Sequence, residues 1–220
     1  MVVLENVAKT YRTRRGDVKA LDDINLRIEE GEFVVICGPS GSGKTTLLMT
    51  IGGMQQPSKG KVIVGQNNLY AMSGRARAEF RAENIGFVFQ MFHLIPYLNI
   101  IENIVLAGGR VANRKIKAQA NELIEQFGLG GRNHHKPSEL SAGEKQRTAT
   151  ARALLNQPKI VLADEPTGNL DPDNAATVLR HLSEFHRKGG TVIFATHGTE
   201  AEQLADRIIH LRNGHIDNCG

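Results

Sequence analysis

The chain has 220 residues, 40 % hydrophobic and 23 % charged, which excludes wholesale disorder and leaves room for one large domain, not two enzymes. Lys and Arg number 27 against 23 Asp and Glu, a net +4 that tolerates a polyanionic ligand without demanding one. No apolar stretch nears the roughly 18 residues that span a bilayer, no secretory pattern is expected at the start, and Cys37 and Cys219 cannot frame a disulfide scaffold.

In chain order, short β-branched runs occur at Phe33–Cys37, 61–64, Ile85–Phe89, 160–163 and 191–195. Buried parallel strands read as continuous apolar runs, so with helical patterns between them these predict an α/β sheet. A helix is expected over 45–51. Another is expected over 115–127, where Ile116, Ala120, Leu123, Ile124 and Phe127 recur at helical spacing. A third lies over 174–187, with Val178, Leu179, Leu182 and Phe185 on one face. Asn213-Gly214, between 207–211 and His215–Asp217, reads as a two-residue hairpin turn. Residues 91–157 carry no convincing strand and are expected to form a helical lobe inserted into the α/β core.

Gly38-Pro39-Ser40-Gly41-Ser42-Gly43-Lys44-Thr45 fits G-x-x-x-x-G-K-[ST], after a predicted strand and opening a helix that continues through Thr46. Glycines let successive N–H groups curl around an anion, and the helix adds its positive end. Lys44 can reach the β- and γ-phosphates, and the Thr45 hydroxyl can ligate Mg²⁺. The run 160–163 then leads into Asp164-Glu165-Pro166. Two adjacent carboxylates at a strand end are costly unless one meets a cation. Asp164 is the natural second partner for Mg²⁺, and Glu165 is placed to orient or deprotonate the attacking water. Together they indicate a nucleotide site. Arg12, Arg14, Arg15 and Lys19 read as a solvated basic loop, and His134-His135 is too isolated for a metal site.

Leu140-Ser141-Ala142-Gly143-Glu144-Lys145-Gln146-Arg147 resembles the signature segment of ATP-binding-cassette ATPases, usually LSGGQ. Other elements of that family appear in its order: Tyr11, Gln90 after Ile85–Phe89, Gly168-Asn169-Leu170-Asp171 after the acids, and His197. The segments 86–90 and 164–171 look most like the lipoprotein-release, macrolide-efflux and cell-division group (LolD, MacB, FtsE). The resemblance implies a P-loop, RecA-like α/β core with an antiparallel β lobe and an inserted helical lobe. It spans 1–220 as one domain, with 1–90 and 158–220 as core and β lobe and about 91–157 as helical lobe. It also implies an ATP-hydrolysing subunit that works as an ATP-dependent, head-to-tail homodimer and powers a separate integral membrane permease. Such a subunit lies in the cytoplasm, peripheral on the inner face of the membrane. An ATPase that gates or signals through a membrane complex without moving a solute is the alternative. A single motif set without sustained heptads fits a soluble cassette acting on DNA or ribosomes poorly, so no nucleic-acid partner is expected.

Within the family, the helix end at Ser141 and Gly143 contacts the γ-phosphate of ATP held by the other subunit. Ser141-x-x-Glu144 also fits a capping box, and the two readings are compatible. Ala142 stands where the signature has glycine, and a side chain there is expected to narrow the room for a phosphate. Glu144 stands where glutamine is usual, and Gly198 where aspartate is. Tyr11 could stack on adenine or be a plain strand tyrosine. Gln90 is implied as a Mg²⁺ ligand, His197 as a holder of the γ-phosphate or the water, and Asp171 as a residue at the nucleotide. The apolar run 91–98 suits either a permease-docking groove or the core of the helical lobe.

Overall fold

A computed structural model describes residues 1–14, 16–109 and 114–217, so Arg15 and Cys219 lie outside the described residues. Strands β3 (Phe33–Cys37), β6 (Ile85–Phe89), β7 (Ile160–Asp164), β8 (Thr191–Thr196), β9 (Arg207–Arg212) and β10 (His215–Asp217) make one sheet. Its order is β10-β9-β3-β8-β7-β6, parallel except for the β9–β10 hairpin. Strand β3 is buried at every position, as an apolar run without alternation requires. Its side chains still alternate between two cores. Val34 and Ile36 join the cluster of Leu47, Leu48 and Ile51 from helix α1 (Lys44–Ile51), and Phe33 and Val35 join that of Val178 and Leu182 from helix α6 (Pro172–Arg187).

A second, antiparallel sheet, β2-β1-β4-β5, covers the α1 side. It consists of β1 (Val2–Thr13), β2 (Gly16–Ile28), β4 (Lys59–Val64) and β5 (Asn67–Asn68). Strands β1 and β2 were not expected from periodicity. Their pairing changes register at three places, so inward residues do not keep a period of two. Helix α2 (Gly74–Asn84) also escaped pattern reading, because it buries no residue.

Between residues 91 and 157 the described residues hold helices α3 (Ile100–Val105), α4 (Arg114–Gln126) and α5 (Ala142–Leu154), with no strand. Ile104, Ala120, Ile124, Phe127, Ala151 and Leu155 pack into a third apolar cluster among them. Helix α4 begins one residue before the expected 115 and ends one before 127; α6 begins at Pro172, with Asp171 as its N-cap.

Candidate nucleotide site

The loop 38–45 leaves buried β3 and enters α1, and its backbone is crowded where glycine stands. A Cβ on Gly38 would lie 2.2 Å from the Leu211 carbonyl oxygen, and one on Gly43, at φ 109°, 2.3 Å from that of Ala20. Helix α1 has no side-chain cap and no acid in its first turn, so its leading N–H groups keep their capacity for an anion. Ser42 Oγ is buried without a hydrogen-bond partner. The loop opens on a cleft of about 310 Å³ lined by Ser40, Gly41, Gly43, Lys44, Thr45 and Thr46, with Gln90, Asp164 and Glu165 opposite.

Lys44 is 5 % exposed and fully partnered. Its Nζ donates to the carbonyls of Gly38 (2.7 Å) and Pro39 (3.2 Å) and pairs with Glu165 Oε1 at 3.4 Å. The other carboxylate oxygen of Glu165 faces His197 Nδ1 at 3.2 Å. Glu165 adopts φ 46°, a left-handed conformation that costs a non-glycine residue on the order of 1 kcal/mol. Its N–H donates to the Ala195 carbonyl, and its own carbonyl accepts from Gly168, which hold it there. Burial raises the Asp164 carboxyl above the ordinary aspartate range, with the Thr45 hydrogen bond opposing and the Glu165 charge reinforcing. Its Oδ1 is buried without a partner. Thr45, Gln90 and Asp164 therefore place oxygen donors on one cleft, with Asp164 Oδ1 unpartnered and the Lys44 charge only partly offsetting the burial of the carboxyl.

The remaining candidates lie elsewhere. Tyr11 does not line the cleft; it is 36 % exposed on β1, with Lys9 Nζ 5.0 Å above its ring. Ser141, Gly143, Glu144 and Asp171 are also absent from the lining. Ser141 caps α5, accepting from the Glu144 N–H at 3.2 Å, while Glu144 Oε2 accepts from the Ser141 N–H at 2.8 Å. That backbone bond is the main cause holding the Glu144 carboxyl below the ordinary glutamate range. Glu144 Oε1 meets Arg132 at 3.4 Å. Ala142 is exposed, and the crowded signature glycine is Gly143, where a Cβ would lie 2.0 Å from Asn174 Oδ1.

Three residues that carry the local geometry were not read from the sequence. Arg152 of α5 donates to the carbonyls of Phe92 (2.8 Å) and His93 (2.6 Å), two left-handed residues following Gln90. Fully buried Asn103 ties down the same loop through Ile95, Leu98 and Asn99. Asn174 joins Arg147 to Asp171. Arg147 ends the segment quoted for the signature and Asp171 lies three residues before Asn174, but the pairings of Arg152 with Phe92 and His93 and of Asn174 with Arg147 span many residues and leave no local pattern.

Residues 21–168 match the family model described as ABC transporter. The chain is 43 % identical over 218 residues to the ABC transporter ATP-binding protein YvrO of Bacillus subtilis, covering 98 % of this chain and 95 % of that one. It is 39 % identical to the lipoprotein-releasing system ATP-binding protein LolD 2 of Caulobacter vibrioides, over 99 % of this chain and 96 % of that one. To the macrolide export ATP-binding/permease protein MacB of Chlorobaculum tepidum it is 43 % identical, over 97 % of this chain but 33 % of MacB. The solved dimer of the ATP-binding cassette MJ0796 with ADP and Pi superposes with a TM-score of 0.93 at 38 % identity, covering 99 % of this chain and 97 % of that one. Family model, relatives and cassette fold agree with the residues around the cleft, and the chain belongs to the ABC transporter family as one of its ATP-binding, ATP-hydrolysing subunits of the LolD and MacB type.

Proposed function

We propose that two copies of this ATPase close head to tail over two ATP molecules and drive a separate integral membrane permease. The observation that carries this reading is the content of the cleft. It gathers Lys44, Thr45, Gln90, Asp164 and Glu165, while Ser141, Gly143, Glu144 and Asp171 line no part of it, which supports their being supplied by a second copy. The related MJ0796 cassette is described as dimeric with ADP and Pi.

In this scheme Gly38, Pro39, Ser40, Gly41, Ser42 and Gly43 cradle the phosphates with backbone N–H groups, joined by Thr46 at the head of α1. Lys44 turns from the carbonyls of Gly38 and Pro39, and from Glu165, toward the β- and γ-phosphates. That exchange releases Glu165, strained and already beside His197, to accept a proton from the attacking water. His197 holds the γ-phosphate or that water. Thr45, Gln90 and Asp164 suit Mg²⁺, since the unpartnered Oδ1 of Asp164 lacks only a cation. Bound there, Mg²⁺ neutralises charge developing on the phosphates. Tyr11 stacks on adenine. Ser141, Gly143, Glu144 and Asp171 meet the nucleotide of the partner copy.

Residues about 91–157 act as a helical lobe against a core of 1–90 and 158–220. An apolar groove of about 390 Å³, lined by Met54, Phe87, Phe89, Ile95 and Leu106, lies where the segment after Gln90 meets β6. Met91 and Tyr97 are 68 % and 73 % exposed in the same segment. We assign this groove to the permease, which keeps the subunit on the inner face of the membrane. Among the described residues no helix is long and apolar enough to cross a membrane.

Light scattering of Glu165→Gln tests the scheme. It is expected to be monomeric without nucleotide and dimeric with ATP and Mg²⁺. A monomer that persists at saturating ATP and Mg²⁺ overturns it.

A further inference from the structure

The starts of α5 and α6 meet at one side chain, that of Asn174. Asn174 Oδ1 accepts from Arg147, one turn beyond Glu144 on α5, at 2.5 Å. Its Nδ2 donates to Asp171 Oδ2 at 2.6 Å, and its backbone N–H donates to Asp171 Oδ1 at 3.0 Å. The same amide fills the space over Gly143, where a Cβ would come within 2.0 Å of Oδ1 and 2.2 Å of Cγ. One half-buried amide thus binds the helix carrying the signature to the residue that caps the next helix.

We propose that Asn174 is a positioning residue that makes the signature end of α5 and the Asp171 cap of α6 move as one rigid unit. This rests on the head-to-tail dimer of the preceding section. Both helix starts lie outside their own cleft, and in that dimer both face the nucleotide of the partner. A surface ordered before association loses less freedom on closing than two pieces ordered separately. Asn174 pre-orders it by bonding to Arg147 and Asp171 at once. Gly143 is kept free of a side chain by the same amide, whereas Ala142, exposed and away from it, admits one.

The test uses Asn174→Ala in the Glu165→Gln background. The alanine variant keeps the backbone N–H that caps against Asp171, so α6 keeps its start. Dimerisation driven by ATP and Mg²⁺, followed by sedimentation, is expected to weaken tenfold or more. Affinity of the monomer for a fluorescent ATP analogue, and the thermal midpoint without nucleotide, are expected to stay close to those of the parent. Arg147→Ala is expected to weaken the dimer similarly, and the double variant little further, because both cut one link. A dimer unchanged within twofold, losses that add in the double variant, or a parallel loss of monomer stability and nucleotide affinity overturns the proposal. Failure of Glu165→Gln alone to dimerise overturns instead the dimer on which it rests.

Discussion

The loop 38–45 and the start of α5 both end at a helix N-terminus, yet α1 is left without a side-chain cap whereas α5 has a closed capping box. At the loop, α1 has no side-chain cap, Ser42 Oγ and Asp164 Oδ1 are buried without partners, and Glu165 sits in a left-handed conformation. At α5, Ser141 and Glu144 satisfy one another, Arg132 faces the remaining carboxylate oxygen, and Asn174 connects Arg147 with Asp171. Unsatisfied buried polar atoms cost about 1–3 kcal/mol each, a cost that ligand binding in the proposed site would relieve. The Ser141–Glu144 cap of α5 is closed on itself, while Gln146 and the Arg147 Nε one turn further along are buried without partners. In the proposed dimer the open helix end would take the phosphates and the capped one would meet them from the partner copy.

The sharpest test of that contrast removes the cation on which the first half turns. Lys44→Ala is expected to lower ATP affinity by on the order of a hundredfold or more, as charge-assisted bonds to the phosphates are lost. Titration calorimetry measures it, and unchanged affinity would show that the loop is not the phosphate site.

A smaller effect separates the two signature positions. Gly143→Ala drives a methyl group into Asn174 and is expected to destabilise by about 1–3 kcal/mol through overpacking. Ala142→Gly touches no packed group and is expected to cost about 1 kcal/mol or less. Urea unfolding of both compares them directly. Equal losses would mean that Asn174 yields easily and the α5–α6 junction is soft.

The smallest effect concerns the cap itself. Glu144→Gln can still accept from the Ser141 N–H, so at pH 7 the stability loss is expected to stay under about 1 kcal/mol. The Glu144 carboxyl is held below its ordinary value, so its contribution is full above the unfolded glutamate pKa of about 4.3. It is lost as pH falls through the folded value below that. The difference between parent and variant should therefore vanish in acid. A gap that begins to close above the unfolded glutamate pKa of about 4.3, or that widens in acid, would show that the carboxylate is not held by the cap.

Legibility from sequence followed the range of the interactions. The runs at Phe33–Cys37, 160–163 and 191–195 became strands of the parallel sheet because a strand buried on both faces needs no partner information to be recognised, whereas 61–64 joined the antiparallel sheet with its first residue exposed. The run 160–163 extends through Asp164, which pairs with Phe89, so the first acid belongs to the sheet. Strands β1 and β2 were hidden by register shifts, and α2 by its lack of an apolar stripe. Ser141 and Glu144 were legible as a cap because the bond closes over three residues. Asn174, Arg132 and Arg152 were not, since their meaning lies in groups 27, 12 and about 60 residues away.

The residues by themselves determined the chemistry of the phosphate loop and of the strand-end acids, because those functions are built within a few consecutive positions. A glycine-rich turn, a lysine and two carboxylates after an apolar run have the same meaning wherever the chain carries them. Only the tertiary structure decided how the groups are held at rest: Lys44 against Glu165, Asp164 with Oδ1 unpartnered, and Glu144 turned toward Ser141 and Arg132. It also decided which signature glycine is crowded, placing Asn174 over Gly143 and leaving Ala142 exposed. Such choices depend on which remote segments the fold brings within a few ångströms, and no local pattern records that distance.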